Sequence, residues 1–478
     1  MRTCRELGIA TVAVYSDADR GALHPRFADE AYAIGPAAPS ESYLDADRLI
    51  AVAKRAGCDA VHPGYGFLAE NAEFAQAVSD AGLTFVGPPA EVQRALGEKT
   101  SARGLAAAQG VPVAEGTMEP LADEAAVRAV ADRIGYPVML KPAAGGGGKG
   151  MRIVRSADEL PGAYRGATGE GRTAFGKAEL LVERLVEHAR HVEMQLLADD
   201  HGRVVWLGER DCSVQRRHQK LIEETPGPSV DDRLRALLGD AAVRIARASH
   251  YRNAGTAEFL VGADGSFVFL EMNTRLQVEH PVTELVTGLD LVALQFRVAA
   301  GEPLPFEQDG VRRRGAAIEL RVTAEDPHAG FLPAGGTVSL LREPSGPRVR
   351  VDSSLYPGMA VPTEYDPLLA KIAVWGPDRD AALRCARRAV RETLIGGVMT
   401  TLPFHAHVLS EQDFSAGRYD TGYVAGHWPP AIGAELDDSA GAAAAYALVL
   451  GRATGTARAA LPATDSAWAR AARDEALR

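Results

Sequence analysis

Two acidic residues, Glu258 and Glu271, flank a stretch of sequence that predicts a tight β-hairpin. Asp264-Gly265 is a favoured two-residue type I′ turn, so Ala263 would face Ser266, and counting outward places Glu258 opposite Glu271. Paired Cβ atoms lie about 4.5 to 5.5 Å apart, and like charges at that distance destabilise a hairpin. A hard divalent cation such as Mg²⁺ would compensate, because it binds carboxylate oxygens together with substrate phosphates. The alternative interpretation is a solvated acidic pair.

The segment that follows, EMNTRLQVEHP, alternates polar and apolar residues with a period of two. An extended chain would place its polar side chains on a single face, namely Glu271, Asn273, Arg275, Gln277 and Glu279. Carboxylates, amides and a guanidinium together could hold a cation and an anion side by side. A half-exposed strand with one solvated face is the simpler alternative.

Four consecutive glycines, Gly145, Gly146, Gly147 and Gly148, follow an apolar strand that ends at Lys141. Backbone amides in such a loop can close over phosphates, with the lysine adding positive charge. The loop matches neither the Rossmann nor the Walker pattern. A flexible surface turn would explain it equally well.

A basic run stands out in an otherwise acidic protein: Arg216, Arg217, His218 and Lys220. Such a run is usually a solvated edge, and an anion-binding site is the sharper alternative. The nearby Cys212 has no partner at hydrogen-bond spacing, which favours a buried structural cysteine over a nucleophile.

These residues belong to a chain of 478 residues, a length that predicts about three domains. From residue 8 to 89 short β-rich runs alternate with helical ones, as in a parallel sheet with crossover helices, and residues 1–7 read as the end of a helix with no strand before it. Helices, the glycine-rich loop and β-hairpins follow over residues 96–301. Residues 314–424 read as a third, mixed unit.

The net charge of −11 would repel a phosphate backbone, so we expect no general nucleic-acid binding. No apolar run approaches the ~20 residues that span a bilayer, and no signal peptide is recognisable, so we expect no membrane association. Four widely separated cysteines suggest neither a zinc site nor a disulfide framework. A reducing, cytoplasmic location fits best.

Six motifs resemble, in the same order, signatures of the biotin carboxylase family within the ATP-grasp superfamily: HPGYGFLAEN (62–71), KPAAGGGGKGM (141–151), RHVEMQ (190–195), ERDCSVQRRHQK (209–220), EMNTRLQVEHPVTE (271–284) and ELRVTAEDP (319–327). The resemblance covers the chain to about residue 425 and implies an α/β fold, α+β overall. Its expected parts are an N-terminal parallel-sheet domain (1–95), an ATP-grasp domain (96–305) with a mobile lid at about 115–186, a C-terminal biotin carboxylase domain (314–425) and a tail or linker (426–478).

The resemblance implies ATP and Mg²⁺ (or Mn²⁺) as cofactors. Lys99 and Lys141 would contact the ATP phosphates, and Gly145 to Gly148 would close over them as part of the lid. The remaining nucleotide residues would be Glu183, Arg184 and Val186 at the adenine hinge, with His191, Gln215 and His218 along the site. Glu258, Glu271 and Asn273 would hold the metal ion.

Bicarbonate is the implied substrate, held by Lys220, Arg275, Gln277 and the Val278 backbone. Glu279 would be the base that deprotonates it for attack on the γ-phosphate, which forms carboxyphosphate. Breakdown of carboxyphosphate releases CO₂ and phosphate, and the phosphate takes the proton from the biotin ureido nitrogen. Arg321 would stabilise the resulting enolate oxyanion, with Tyr65 near the biotin.

Three features depart from the family pattern. The opening strand and glycine turn that precede Met1–Leu7 in the family are missing, which would leave part of the N-terminal sheet unpaired. The glycine run is one residue shorter, with Ala144 in its first place, and Arg184 replaces the usual hinge lysine.

No Ala/Val-Met-Lys-Met biotinylation site is present, so we expect biotin on a separate carrier protein or domain. A carboxyltransferase subunit is the second expected partner, in a homodimer or larger complex, and the expected role is as a component of an acyl-CoA carboxylase. One alternative is another ATP-grasp carboxylate-amine ligase, such as a carbamoyl-phosphate-synthase-like enzyme, against which the RLQVEHP segment and Arg321 argue. An inactive scaffold subunit is the other.

Overall fold

The computed structural model describes residues 1–143, 150–175 and 178–429. The predicted glycine loop Gly145–Gly148 therefore lies outside the described residues, as does the predicted tail from residue 430 onward. Residues Met1–Trp428 form one compact unit.

The N-terminal part is built from short parallel strands and helices. Its elements are α1 (Arg2–Glu6), β1 (Val12–Tyr15), α2 (Leu23–Phe27), β2 (Glu30–Ala33), α3 (Ala46–Arg55), β3 (Ala60–Val61), α4 (Ala72–Asp80), β4 (Thr84–Phe85) and α5 (Ala90–Gly97), with a 3₁₀ turn at Pro39–Glu41. The helix predicted at the start of the chain is present as α1. Strands β1 and β2 form one parallel pair and β3 and β4 a second, and among the described residues no strand joins the two pairs.

A small antiparallel sheet of order β6-β5-β7 occupies the predicted lid. The elements of this region are α6 (Lys99–Ala108), α7 (Glu124–Ile134), β5 (Val138–Pro142), β6 (Arg152–Val154), α8 (Leu160–Phe175) and β7 (Leu180–Arg184). Asp123 caps α7 by accepting a hydrogen bond from the Ala126 amide. The apolar faces of α7 and α8 pack on this sheet in a core of their own.

The largest sheet has eight strands in the order β12-β11-β8-β9-β10-β13-β20-β18. Its first half contains β8 (Arg190–Ala198), β9 (Val204–Arg216), β10 (Gln219–Thr225), α9 (Asp232–Ala248), β11 (Asn253–Val261), β12 (Phe267–Asn273), α10 (His280–Thr287) and α11 (Leu291–Ala299). Its second half comes from the predicted third unit, which contains β13 (Ala316–Thr323), β14 (Glu325–Asp326), β15 (Leu332–Pro333), β16 (Gly336–Thr337), β17 (Leu340–Arg342), β18 (Val349–Ser353), β19 (Ala360–Val361), β20 (Leu368–Gly376), α12 (Arg379–Glu392), β21 (Leu394–Gly396), α13 (Leu402–Ser410), α14 (Gln412–Ser415) and α15 (Tyr423–His427). One continuous sheet therefore runs across the predicted boundary between the second and third parts, where β10 pairs with β13.

Period-two alternation in this sheet separates core from site. On β8, Val192, Met194 and Leu196 are buried against α9, whereas His191 and Glu193 point to the opposite face. Beyond β10 the same sheet packs on α12 and α13 in a second apolar core. One face of the sheet is thus filled with hydrocarbon. The other face carries the polar side chains and, beside them, a smaller apolar core in which Leu197 and Ala254 pack on α11.

No helix of the described residues is long and apolar enough to cross a membrane.

Candidate active site

The predicted pairing of Glu258 with Glu271 is confirmed, because β11 and β12 are antiparallel with these two residues in register. The predicted two-residue turn is wrong. Gly262 donates its amide to the Ser266 carbonyl at 2.8 Å, which leaves a three-residue loop, and Gly265 at its end has a φ of +78°. A β-bulge between this loop and Glu271 shifts the register by one residue and restores the predicted pair.

The acidic pair continues across the sheet as a row of charged side chains. Glu271 on β12 lies opposite Glu258 on β11, Glu258 opposite Glu193 on β8, and Glu193 opposite Arg210 on β9. Arg210 is fully buried and donates to Glu193, to Gln195 at 2.6 Å and to two threonine hydroxyls. We assigned no role to Glu193 or Arg210 from the sequence. The alternation of polar and apolar residues along β8 is the signal that identifies Glu193.

The Lys220 ammonium occupies the centre of this row. It contacts Glu193, and it lies 2.8 Å from Glu258 Oε1, 3.1 Å from Gln277 Oε1 and 2.7 Å from Glu279 Oε1. Burial alone would lower the pKa of Lys220, but the surrounding carboxylates raise it well above its ordinary value. We name this set, Lys220 with Glu193, Glu258 and Glu279, the lysine cluster.

Two acids of the lysine cluster, Glu258 and Glu279, are held in their charged form. Burial would raise the pKa of Glu258, yet Lys220 and His191 bring it well below its ordinary value. Glu279 behaves alike: against the effect of burial, Lys220, Arg321 and Arg210 keep its pKa well below the usual range. His191 Nε2 lies 2.9 Å from Glu258 and its Nδ1 lies 3.1 Å from the Gln215 amide, so the predicted nucleotide residues His191 and Gln215 join the cluster.

Glu271 and Asn273 are candidates to hold a metal ion at the edge of the lysine cluster. The Asn273 amide donates to Glu258 at 2.9 Å, which holds the two side chains together. Burial, followed by the charge of Glu258, raises the pKa of Glu271, and no described side chain donates a hydrogen bond to it. A divalent cation would supply the charge that this carboxylate lacks, and the three oxygen-bearing side chains fit the preference of Mg²⁺. The ligand atoms of His191, Glu193 and Glu258 also lie within 4.8 Å of one another, but the Lys220 ammonium already fills that position.

The extended conformation predicted through Glu279 is wrong beyond Asn273, where β12 ends. The chain turns at residues 274–279, and helix α10 begins at His280 with Pro281 in its first turn, a position where the fixed φ of proline suits a helix. The turn still brings Gln277 and Glu279 to the same ammonium. The predicted convergence of these side chains therefore holds, although an irregular turn produces it.

Two further groups hold this turn. The Lys371 ammonium on β20 donates to the Val278 carbonyl at 2.6 Å, and sequence reasoning gave no role to this lysine. Arg275 donates to Glu70 at 2.9 Å and to the Asn273 amide oxygen at 3.2 Å, so it spans from the N-terminal part to the metal-binding residues.

Arg321 lies beside Glu279 on the far side from the metal-binding residues. Its guanidinium donates to Glu279 Oε2 at 2.9 Å and to Glu223. The Arg321 carbonyl accepts hydrogen bonds from Thr401 Oγ1 at 2.9 Å and from the His405 ring at 2.7 Å, which fixes the strand behind it. Tyr65 is half-exposed at the same edge of the site, near Arg321 and Glu319. Partial burial, followed by the charge of Glu319, raises the pKa of its phenol.

The predicted phosphate-contacting lysines lie on the opposite flank. Lys141 on β5 pairs with Glu183, which also accepts from Arg103 at 2.8 Å, and Arg103 is a buried residue that the sequence did not single out. Burial would raise the pKa of Glu183, but Lys141 and Arg103 lower it, with Lys99 adding to the effect. The set forms a charged junction between α6 and the lid strands.

The residues of the basic run have two different roles. Arg217 and His218 both have positive φ and form the turn between β9 and β10. Partial burial and then Lys141, His191 and Lys99 lower the pKa of His218, so these cations converge, as expected around an anionic ligand. Arg216 instead lies over the Phe331 ring, 4.8 Å from its centroid, and supports the fold.

Three predicted positions fall outside this convergence. Arg184 is exposed, donates to Glu115 at 3.1 Å and contacts the Ile134 carbonyl, and Val186 follows β7 as a half-buried residue. Cys212 is fully buried and burial raises its pKa well above the ordinary value, in agreement with a structural cysteine.

Comparison with known families divides the chain into three matched regions. Residues 1–93 match the family described as biotin carboxylase, N-terminal domain; residues 98–307 match carbamoyl-phosphate synthase L chain, ATP binding domain; and residues 319–426 match biotin carboxylase C-terminal domain.

Similar proteins extend over nearly the whole described chain. A biotin carboxylase of Nostoc sp. is 48% identical over 424 residues, which cover 89% of this chain and 95% of that protein. The mitochondrial methylcrotonoyl-CoA carboxylase subunit alpha of Rattus norvegicus is 46% identical over 428 residues, or 89% of this chain and 60% of that subunit.

A solved structure has the same fold. The biotin carboxylase domain dimer of Hydrogenobacter thermophilus 2-oxoglutarate carboxylase, in complex with MgADP, ADP and bicarbonate, superposes with a TM-score of 0.87 at 43% identity. The match covers 89% of this chain and 94% of that one. The mixed α/β fold, with N-terminal, ATP-grasp and C-terminal domains, is thereby confirmed.

Proposed function

Since this chain belongs to the biotin carboxylase family and is an ATP-dependent ligase of that family, we propose that it carboxylates carrier-bound biotin with bicarbonate as a component of an acyl-CoA carboxylase. The observation that carries this proposal is the position of Glu279. This carboxylate contacts Lys220 on one oxygen and Arg321 on the other, and so links a metal and phosphate region to an oxyanion-stabilising arginine.

Mg²⁺ would be held by Glu258, Glu271 and Asn273, where it would neutralise phosphate charge as the γ-phosphoryl group is transferred. Lys99 and Lys141 would add positive charge around the triphosphate, with the His218 ring beside them. Their mutual effects on the pKa of His218 and Glu183 support a shared anion site. Lys141 would exchange Glu183 for a phosphate oxygen when ATP binds.

Bicarbonate would lie between Lys220 and Arg275, with the Gln277 amide and the Val278 amide as further donors. The 2.6 Å hydrogen bond from Lys371 to the Val278 carbonyl supports this role, because it fixes the peptide that follows and aligns the local backbone. Lys220 already contacts four acceptors, so an incoming anion would replace one of them rather than enter an empty space.

Glu279 would take the bicarbonate proton. Its pKa is held low by Lys220 and Arg321, which makes it a weak base in the free protein. When Lys220 turns to bicarbonate, part of that positive charge leaves Glu279, and the carboxylate becomes a stronger base at the moment when it is needed. The oxygen left on bicarbonate attacks the γ-phosphorus, ADP leaves, and carboxyphosphate is the product.

Arg321 and Tyr65 would receive the biotin ureido group. Carboxyphosphate would break down to CO₂ and phosphate, the phosphate would remove the ureido N–H proton, and the Arg321 guanidinium would stabilise the charge on the ureido oxygen. The nitrogen would then attack CO₂ and form carboxybiotin.

The acyl-CoA acceptor is the finer part of the proposal. It is supported by the 46% identity to a methylcrotonoyl-CoA carboxylase subunit alpha. A 2-oxo acid acceptor is the competing possibility, favoured by the likeness to a 2-oxoglutarate carboxylase domain. The partners would be a biotin carrier protein or domain and a carboxyltransferase, and a homodimer is supported by the dimeric relative. A cytoplasmic location is supported by four free thiols in the described part of the chain.

Another ATP-grasp ligase is the second candidate function, because residues 98–307 match a carbamoyl-phosphate synthase ATP-binding domain. The lysine cluster and the metal carboxylates would serve either enzyme, whereas the Glu279–Arg321 contact favours biotin chemistry.

The decisive experiment measures ATP hydrolysis by the purified chain with Mg²⁺ and bicarbonate, with and without free biotin, beside Glu279→Gln. Bicarbonate-dependent hydrolysis that biotin stimulates, and that the variant lacks, would support the proposal. Folded protein that binds ATP but shows no such turnover would overturn it in favour of a scaffold role. Stimulation by ammonia or another amine in place of biotin would favour the second candidate.

A further inference from the structure

A second pair of opposed carboxylates lies three strands away from the metal-binding pair. Strands β10 and β13 are antiparallel, with Glu223 directly opposite Glu319, and both side chains are fully buried. Glu319 precedes Arg321 by two residues on β13, so the two side chains share the face of the sheet that carries the site.

The two carboxylates of this pair differ in their partners. Glu223 accepts a hydrogen bond from Arg321 Nε through one oxygen, and its other oxygen has no partner among the described residues. Both oxygens of Glu319 lack a partner in that part of the chain. A buried ionised carboxylate without a donor or a counter-ion is strongly disfavoured, and two facing ones are disfavoured further.

The charged groups around Glu319 do not offset the cost of ionising this buried carboxyl group. Lys371 approaches from β20, but its ammonium is engaged by the Val278 carbonyl at 2.6 Å and by Asp352 at 3.5 Å. Arg321 on the same strand is held by Glu223 and Glu279. The N-terminal end of α10, which packs on β13, adds Glu279 and the neutral His280, and the loop after β3 adds the Tyr65 phenol. Burial therefore dominates: it raises the pKa of Glu319 to about 8 and, against Arg321, that of Glu223 to about 7.

Arg321 already has two carboxylate partners. Glu223 and Glu279 hold two different nitrogens of the guanidinium and so fix its plane. A third ionised carboxylate at Glu319 would compete for the same guanidinium and draw it toward the sheet, away from Tyr65 and the open edge of the site.

We propose that Glu319 is a positioning residue that carries a proton at neutral pH, so that ionised Glu223 alone orients Arg321 from this side toward the ureido oxygen of biotin. The Glu223–Glu319 pair then holds one proton between its two carboxyl groups, because two buried acids that face each other cannot both ionise. This inference rests on the proposed function, because it concerns the half of the reaction that involves biotin.

The test compares the same substitution at the two facing positions, Glu319→Gln on β13 and Glu223→Gln on β10. The amide at position 319 reproduces a protonated carboxyl group, so we expect E319Q to keep biotin-stimulated ATP hydrolysis within about threefold of the unaltered protein near neutral pH. E223Q removes the charge that orients Arg321, and we expect a loss of about tenfold or more in the biotin-stimulated rate. Equal sensitivity of the two positions, or the reverse order, would overturn the proposal.

Infrared difference spectroscopy provides a readout that does not depend on turnover. Subtracting the E319Q spectrum from that of the unaltered protein near neutral pH should leave the carbonyl stretch of a protonated carboxylic acid, and this signal should fade as the pH rises through about 8. Its absence near pH 7 would overturn the proposal, and this readout does not depend on the folding of E223Q. Absence of biotin-stimulated hydrolysis in the unaltered protein would count against the proposed function, while the infrared signal would still decide the protonation of Glu319.

Discussion

Replacement of Lys220 by methionine isolates the electrostatic role of the lysine cluster. Methionine keeps the unbranched length of lysine and removes the ammonium, which lies 2.8 Å from Glu258 and 2.7 Å from Glu279 and also contacts Glu193. All three carboxylates are buried, so the substitution leaves buried negative charges without their common counter-ion.

The expected cost follows from what such removals do in other proteins. Taking one partner from a buried ion pair destabilises the folded state by about 3 to 5 kcal/mol. Because 1.36 kcal/mol is a factor of ten, opening of the strands that carry these residues should become about 150- to 5,000-fold more frequent. Hydrogen exchange of the amides in β8, β10 and β11 measures that local opening directly, without requiring that the whole chain unfold in one step.

The cost should depend on pH, with a defined sign. In the unaltered protein the pKa values of Glu258 and Glu279 lie well below the ordinary value, so their stabilisation is present above the unfolded-state pKa and is lost only as the pH falls through the lower folded-state value. Without the ammonium, burial leaves these pKa values raised, and the variant loses stability as the pH increases through them. The ratio of exchange rates, variant to unaltered protein, should be largest near pH 7 and should fall to about tenfold or less near pH 5, where the acids take up protons.

Lys54→Met is the matched control, because Lys54 is exposed on α3 and its ammonium has no ion-pair partner among the described residues. The control should leave exchange in these strands unchanged. A Lys220 variant whose exchange ratio is near one at pH 7, or is the same at both pH values, would refute the argument, since it would mean that the acids are not held charged by this lysine.

Three further changes probe the other parts of the site. Glu271→Gln should weaken the apparent affinity for Mg²⁺ by about tenfold or more in a metal titration of ATP hydrolysis, because it removes the candidate metal ligand to which no described side chain donates a hydrogen bond. An unchanged titration would exclude Glu271 from the metal site. Lys371→Met should raise the KM for bicarbonate about tenfold with little change in the KM for ATP, because it frees the Val278 carbonyl, and a rise in the KM for ATP alone would contradict this. Arg321→Met should lower the biotin-stimulated rate by about 10²-fold and the biotin-independent hydrolysis much less, and equal losses in the two assays would show that Arg321 acts chiefly through Glu279.

Local patterns in the sequence predict the facing pair Glu258 and Glu271, although the predicted turn is wrong and a bulge on β12 compensates for it. Two β-rich runs around Asp264-Gly265 predict a hairpin, and period-two counting across it predicts that Glu258 faces Glu271. The alternation of short β-rich runs with helical runs over residues 8–89 likewise predicts an α/β organisation. Both are short-range properties of the chain.

Long-range packing decided the rest. Nothing local to Lys220 indicates that three carboxylates from three other segments surround it, or that Lys371 reaches the Val278 carbonyl across 93 residues. The end of β12 at Asn273 was equally hidden, since the polar alternation continues through Glu279 while the backbone turns into α10 at Pro281. Glu223 and Glu319 read as ordinary strand residues until the register of β10 against β13 makes them neighbours.

The hairpin between β11 and β12 contains two departures from regular geometry that cancel each other. Its loop is one residue longer than the shortest tight turn, and its bulge takes up one residue on β12, so Glu271 still faces Glu258. A deletion that shortened the loop to two residues would leave Val261 opposite Phe267 and so keep Glu271 facing Glu258 across the bulge. In evolution, therefore, the length of this loop is free to vary beyond the Gly262–Ser266 hydrogen bond, whereas the stretch from residue 266 to residue 271 must keep the register that places Glu271 opposite Glu258.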